Sequence, residues 1–318
     1  MTRNPHPPEA NSFIKANLIH LGCNMWADWE NPDIPPLYEY ARYKPFMRLD
    51  RPLWDDMMKA MVEHGFNMVV IDLGEGVKYE SHPELAVKGS WSVSRLRKEL
   101  DKIRKIGLEP IPKMNFSTAH NLWLGPYSRM VSTARYYEVV EDLIQEAHDL
   151  FDGPRLLHLG MDEETFQHQR WYRYAVVRQH DLWWEDVYHL FSRCEKLNMR
   201  PWVWSDYVWH HPELFYKKMP TSVLQSNWFY SPSLNRQNPR VRAYLDLQEK
   251  GYDQVPTGSN HSNPENIVRT AAWAKRYLSP ESLKGLMQTP WRETLEIRRG
   301  HHMEAIEWAG KAFKILEK

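Results

Sequence analysis

The chain has 318 residues, with 41 Lys and Arg against 41 Asp and Glu, so its formal net charge is zero. That balance gives no electrostatic reason to expect nucleic acid or an anionic membrane as a partner. Hydrophobic residues at 42% and charged residues at 26% exclude disorder and suit one large α/β barrel or two smaller domains. Two cysteines, Cys23 and Cys194, cannot build a disulfide framework, and neither has a Cys-x-x-Cys partner for zinc. No run of 18 apolar residues offers a membrane span. Residues 1–11 are polar and Pro-rich, without the apolar stretch of a signal peptide. The expectation is a cytoplasmic protein, unless a leader has been removed. One feature of the composition is unusual: 15 Trp and 16 Tyr stand against 10 Phe. Aromatic rings with a polar edge suit both cores and sugar-stacking walls.

Along the chain, short β-rich runs alternate with amphipathic stretches. Strand candidates fall at residues 18–22, 66–72, 108–112, 155–160, 200–205, 222–228, 254–258 and 284–289. Helices are predicted where apolar residues recur at spacings of three and four, as in Val93, Leu96, Leu100 and Ile103. Val140, Leu143, Ala147 and Leu150 repeat the pattern, as do Ile306, Ala309, Phe313 and Leu316. Residues 205–221 lack a long amphipathic run, so the fifth unit is the least regular. Eight strands alternating with helices predict a (β/α)8 TIM barrel. A doubly wound open sheet is the alternative, but the first βα turn has no Gly-x-Gly-x-x-Gly. Helix-to-strand turns are short (64–65, 106–107, 151–154), whereas strand-to-helix connections are long (23–50, 74–90, 114–133, 161–180). Loops of such length are usually functional, and in a barrel they emerge on the C-terminal face, where active sites sit. No linker, repeat or low-complexity tract divides the chain. Residues 1–318 are therefore expected to form one barrel domain, with 1–16 as an N-terminal extension.

The sharpest local feature is the fourth strand candidate running directly into Asp162-Glu163-Glu164. Cleavage of a glycosidic bond needs a carboxyl as proton donor and a negative group beneath the anomeric carbon. Adjacent carboxyls in a desolvated cleft cannot ionise independently, so their roles diverge. The plainer alternative is an acidic cluster opening a helix.

His158-Leu159-Gly160-Met161-Asp162-Glu163 resembles the His-x-Gly-Gly-Asp-Glu of glycoside hydrolase family 20, the β-N-acetylhexosaminidases. The likeness continues in order. Phe66 to Asp72 with His82-Pro83-Glu84-Leu85, and Gly107-Leu108-Glu109-Pro110-Ile111-Pro112, resemble the family's second and third strands. Val223 to Trp228 resembles its sixth strand, and Trp291-Arg292-Glu293 its Trp-x-Glu after the eighth. Three departures stand out. Met161 replaces a glycine, Asn115-Phe116-Ser117-Thr118-Ala119-His120 replaces the third-strand loop, and the sugar-binding Arg after strand one is missing. The last of these tilts the expectation toward galactosaminides.

The resemblance implies an exo-acting retaining β-N-acetylhexosaminidase, releasing β-GalNAc or β-GlcNAc, in which the substrate's acetamido oxygen attacks the anomeric carbon to form an oxazolinium. Glu163 would be the general acid and then base, with Asp162 orienting the acetamido N–H. Trp204, Trp228 and Trp291 would wall the sugar, and Glu293 would bind its hydroxyls. Asp72, Asn115, His120 and Asp206 are further candidate contacts, and Glu164 is expected at the start of the next helix. No cofactor is implied; the partner is a glycan or glycoside ending in a 2-acetamido sugar. Competing readings are a two-carboxylate glycosidase with Glu293 or Asp206 as nucleophile, a non-catalytic sugar-binding barrel, and a metal hydrolase using His20, His158, Asp162 and His261.

Overall fold

In the computed structural model, which describes residues 13–317, strand β1 is Ile14–His20. It starts four residues before the predicted run because Lys15 and Asn17 interrupt the apolar pattern. Asn17 is nonetheless buried, and Ile14, Ala16 and Leu18 alternate into the barrel interior. Residues 14–16, expected in the N-terminal extension, thus belong to the sheet; residues 1–12 lie outside the described residues.

The remaining strands fall where the sequence predicts them: β2 (Met68–Asp72), β3 (Glu109–Lys113), β4 (Leu156–His158), β5 (Arg200–Trp204), β6 (Leu224–Ser226), β7 (Thr257–Gly258) and β8 (Gly285–Gln288). Each pairs in parallel with its sequence neighbours, apart from β6 with β7, and β1 pairs with β8. Parallel bridges Gln225–Gln254 and Trp228–Thr257 join β6 to β7 and complete the ring. The chain is a (β/α)8 barrel.

Among the described residues, eight α-helices cover it: α1 (Arg51–Glu63), α2 (Val93–Lys105), α3 (Ala134–Leu150), α4 (Asp181–Lys196), α5 (Pro212–Lys218), α6 (Pro239–Glu249), α7 (Asn266–Tyr277) and α8 (Arg299–Glu317). α5 is the shortest, in the stretch that lacks an amphipathic run. Ser92 and Thr133 cap α2 and α3 by accepting the N–H groups of Arg95 and Tyr136, each at 3.3 Å. No helix among the described residues is long and apolar enough to cross a membrane.

Strand alternation divides the core in two. Ala16, Leu18, Met68, Val70, Ile111, Leu156, Trp202, Trp204, Leu224 and Met287 fill the barrel, while Ile19, Val69, Ile71, Leu157 and Val203 face the helices. One seam of the barrel is thin. Met114 donates to the carbonyl of His158 at 2.9 Å, but Pro110 and Pro112, the preceding residues on that side of β3, have no N–H to give β4.

Candidate active site

Beyond the last rung of β4 the backbone leaves the sheet in a tight turn. Gly160, Met161 and Glu163 all have positive φ, at 72°, 74° and 56°. Left-handed conformations cost a non-glycine residue about 1–3 kcal/mol and cluster at functional sites. At Gly160 a side chain would also collide, since a Cβ there would lie 2.1 Å from Asn115 Oδ1. The turn is held by its neighbours: His158 Nδ1 accepts the Gly160 N–H at 3.1 Å, Asn115 Oδ1 accepts the Met161 N–H at 3.3 Å, and Asp206 Oδ2 accepts the Glu163 N–H at 2.9 Å. His158 is therefore a buried brace, and burial, reinforced by Lys113, keeps it neutral.

The turn aims Asp162 and Glu163 into a cavity of about 220 Å³ on the C-terminal face. Six strand ends contribute to its lining: Met25, Trp26 and Tyr40 after β1, Asn115 and His120 after β3, the acidic pair after β4, Trp228 and Tyr230 after β6, His261 after β7 and Trp291 after β8. Trp228 stacks on Tyr230 at 4.9 Å, and the Trp291 indole N–H donates to the Tyr230 hydroxyl at 3.0 Å. The long loops after β1 and β4 meet at the rim, where the Tyr172 hydroxyl donates to the Met25 carbonyl at 2.8 Å and Tyr38 packs on Trp171.

Within the cavity, Asp162 Oδ1 accepts from Asn115 Nδ2 at 2.8 Å, and Asp162 Oδ2 lies 3.2 Å from His120 Nε2. The same nitrogen is 3.4 Å from Glu163 Oε2, while His168 Nε2 lies 3.3 Å from Glu163 Oε1. Burial alone would raise the Asp162 carboxyl, but His120, Lys113 and the Asn115 amide hold it far below the usual range. Burial opposes charge on His120 too, yet Asp162 and then Glu163 lift it to about 10, so it is an imidazolium at neutral pH. Asp206 goes the other way: burial first, then the Asp162 charge, raises its carboxyl to about 8.

His120, Asp162 and Glu163 form the one cluster among the described residues whose ligand atoms lie close enough, within 4.8 Å, to hold a metal ion. An imidazolium has no lone pair at Nε2, so a cation would have to displace the proton that both carboxylates stabilise. The arrangement suits an ion-paired triad. His20, His158 and His261 do not join Asp162 as a ligand set among the described residues; His20 pairs with Asp72, and His261 Nδ1 contacts Arg292 Nη1 at 2.8 Å.

Asp162, Glu163, Asn115, His120, Trp228 and Trp291 thus share one pocket, while four candidates lie elsewhere. Trp204 is 2% exposed and packs inside the barrel with Trp202, directly beneath the pocket wall, its ring 5.8 Å from that of Trp291. Asp72 is sealed beneath the site, ion-paired with Lys113 and 3.5 Å from His20. Glu293 is buried with Arg298 Nε 3.3 Å from its Oε2, away from the cavity lining. Asp206 lies beside Glu163 but lines a neighbouring cavity. Glu164 is not at a helix start; it forms a buried pair with Arg178, 2.8 Å from Nε to Oε1, seventeen residues before α4 opens at Asp181.

The sequence reading missed Trp26, Tyr40, Tyr230 and His168, and offered His261 only as a metal ligand. Tyr230 had a usable signal, because it follows Trp228 by two residues and so falls on the same side of an extended segment. Arg48, near the place of the missing strand-one Arg, spends its guanidinium on the carbonyls of Tyr40 and Cys23, both at 2.7 Å.

No protein-family model matches the chain, and no curated protein matches it. Solved structures do. The Streptomyces plicatus N-acetyl-β-hexosaminidase, in complex with thio-NAglucal, aligns with a TM-score of 0.64 at 12% identity, covering 98% of this chain and 64% of that one. A glycoside hydrolase family 20 β-N-acetylglucosaminidase aligns at 0.60 and 12%, covering 94% and 69%. The Flavobacterium johnsoniae chitobiase aligns at 0.56 and 16%, covering 85% and 48%, so the chain spans about half the length of that protein. At these identities the likeness is one of fold.

Proposed function

We propose that the protein is a glycoside hydrolase of the β-N-acetylhexosaminidase type, removing a terminal β-linked 2-acetamido sugar with retention by substrate-assisted catalysis. The observation that carries this is the make-up of the pocket: Asp162 and Glu163 are its only carboxylates among the described residues, and they are adjacent. A conventional double displacement needs a second carboxyl about 5–5.5 Å across the sugar from the acid, and the two candidates for it, Glu293 and Asp206, lie outside the lining. A nucleophile carried by the substrate removes that need, and its intramolecular attack brings a large effective molarity.

Each residue then has a task. Glu163, partly exposed at the edge of the cavity, protonates the leaving oxygen and later takes a proton from water. Asp162, kept ionised by His120 and Asn115, accepts the acetamido N–H and stabilises the cationic oxazolinium. Both of its oxygens already have partners, but a carboxylate offers about four lone-pair sites, so room remains for the substrate. Trp228, Trp291 and Trp26 close around one sugar ring, and the small volume favours release of a single terminal residue.

The test is turnover of chromogenic β-GlcNAc, β-GalNAc, β-glucosides and β-galactosides. The acetamido sugars are expected to be hydrolysed, their ratio giving the gluco or galacto preference, while the 2-hydroxyl sugars stay almost inert. Asp162→Asn is expected to lower kcat by roughly 10²–10³-fold, as loss of a preorganised electrostatic group does. A covalent adduct of a 2-fluoro sugar on Asp206 or Glu293 would overturn the assisted mechanism.

A further inference from the structure

The carboxylate of Glu163 accepts no hydrogen bond among the described residues; His120 and His168 stand beside it at 3.4 and 3.3 Å, and it is 26% exposed. A side chain so loosely held is aimed by its backbone, and that backbone is strained, with φ at 56°. A left-handed glutamate persists only where its surroundings over-determine it. Three anchors do so here. The Ser117 hydroxyl donates to the Asp162 carbonyl, Asp206 takes the Glu163 N–H, and the next side chain along, that of Glu164, is pinned by Arg178.

The third anchor spans the most chain. Glu164 Oε1 accepts from the backbone N–H and the Nε of Arg178, at 3.0 and 2.8 Å. Glu164 Oε2 accepts from Arg178 Nη2 at 2.6 Å and from the Thr118 N–H at 3.1 Å. Arg178 donates further to the Phe116 carbonyl at 2.9 Å and to Asp186 Oδ2, on α4, at 2.7 Å. The hydroxyls of Tyr137 and Ser132 close off Asp186. All three charged side chains are at most 5% exposed. Burying charges to hold one another is often worth no more to stability than apolar packing of the same volume. Stability is therefore a poor reason for this chain, and its attachments supply a better one. Through Phe116 and Thr118 it grips the loop that carries His120, and through Glu164 it grips the residue after Glu163. We propose that the Glu164–Arg178 pair is a positioning unit for the acid, setting where the Glu163 carboxyl stands against the bond that breaks. The inference rests on the assignment of Glu163 as acid.

Arg178→Lys keeps the buried positive charge but replaces a fork of donors by a single point, so the turn is gripped by fewer bonds. On 2-acetamido sugars with poor leaving groups kcat is expected to fall about tenfold, short of the roughly 10²-fold that a 1 Å misplacement can cost. KM should stay within about twofold, and activated aryl glycosides, which need little protonation, should lose less in the first step. Glu164→Gln, which keeps one acceptor oxygen, should show the same pattern at smaller size and serves if Arg178→Lys does not fold. The deciding measurement repeats each substitution in Glu163→Gln, where no carboxyl remains to be aimed. There it should cost nothing more, because residues that act as one unit are not additive. Equal losses along the leaving-group series, or a loss repeated in full in Glu163→Gln, would overturn the positioning role and leave the glycosidase assignment standing. Failure of the unaltered protein to turn over any 2-acetamido sugar would overturn the assignment of Glu163, and this inference with it.

Discussion

Asp72 and Asp162 are both buried, both follow the inner face of a barrel strand, and both lie within reach of a histidine, yet only Asp162 opens onto a cavity. Around Asp72 the partners are Lys113, a full positive charge that touches the carboxylate, and His20, all at most 1% exposed. That cluster is closed and its charges are spent on one another. Around Asp162 the cation is His120, which is shared with Glu163, and the amide of Asn115 completes the shell. Here the partners fix the charge state without covering it. Similar side chains are therefore sealed in protein in one case and presented to a cavity in the other. The difference lies in whether the carboxylate's remaining lone pairs meet protein or open space.

The largest expected effect breaks the chemical side of that pair. Glu163→Gln should lower kcat by roughly 10²–10⁴-fold on substrates with poor leaving groups, and by less in the first step on activated aryl glycosides, which need little protonation. A leaving-group series read by steady-state kinetics checks this, and equal losses throughout would mean Glu163 has another task. Breaking the architectural side should look different. Asp72→Asn leaves the Lys113 ammonium buried without a counter-charge, at a cost of about 3–5 kcal/mol. Denaturant unfolding should register that loss while the folded molecules keep their kcat.

The smallest effect sharpens the comparison through pH. His120 and Asp206 are both raised in the folded state, to about 10 and about 8. Groups raised in this way contribute stability that is full below their unfolded pKa, about 6.5 for His and 3.9 for Asp, and lost as pH rises through the folded value. Asp162, held low, behaves oppositely: its contribution is present above about 3.9 and lost as pH falls further. Folding stability should therefore decline from about pH 5 toward pH 8 and beyond. Asp206→Asn should flatten the part of that slope below pH 8, and an unchanged slope would remove Asp206 from the account.

Much of the barrel was legible because burial on both faces of a parallel strand leaves a dense apolar run, as in Met68–Asp72. β1 was misjudged at its start because a polar residue, Asn17, is buried there, and β7 is short because the run 254–258 contains Pro256. The acidic pair was legible as three consecutive carboxylates at a strand end. What could not be read was the direction in which each side chain points once the strand has ended. Trp204 and Trp228 look alike in sequence, but alternation sends Trp204 inward with Trp202, while Trp228 stands beyond β6 against Tyr230. Trp26, Tyr40 and His261 come from loops, where no period marks the face that meets the pocket.

The two prolines of β3 have a consequence for how the protein would fail. With Pro110 and Pro112 giving no N–H to β4, the strand that carries Asp162 and Glu163 leans chiefly on β5, through Leu156, Leu157 and His158. The turn itself hangs on side chains, from Asn115, His158 and Asp206. Local opening at this seam would break few ladder bonds, so it would be less costly than loss of the barrel as a whole. Loss of the acidic turn is thereby expected at a lower denaturant concentration than loss of the barrel.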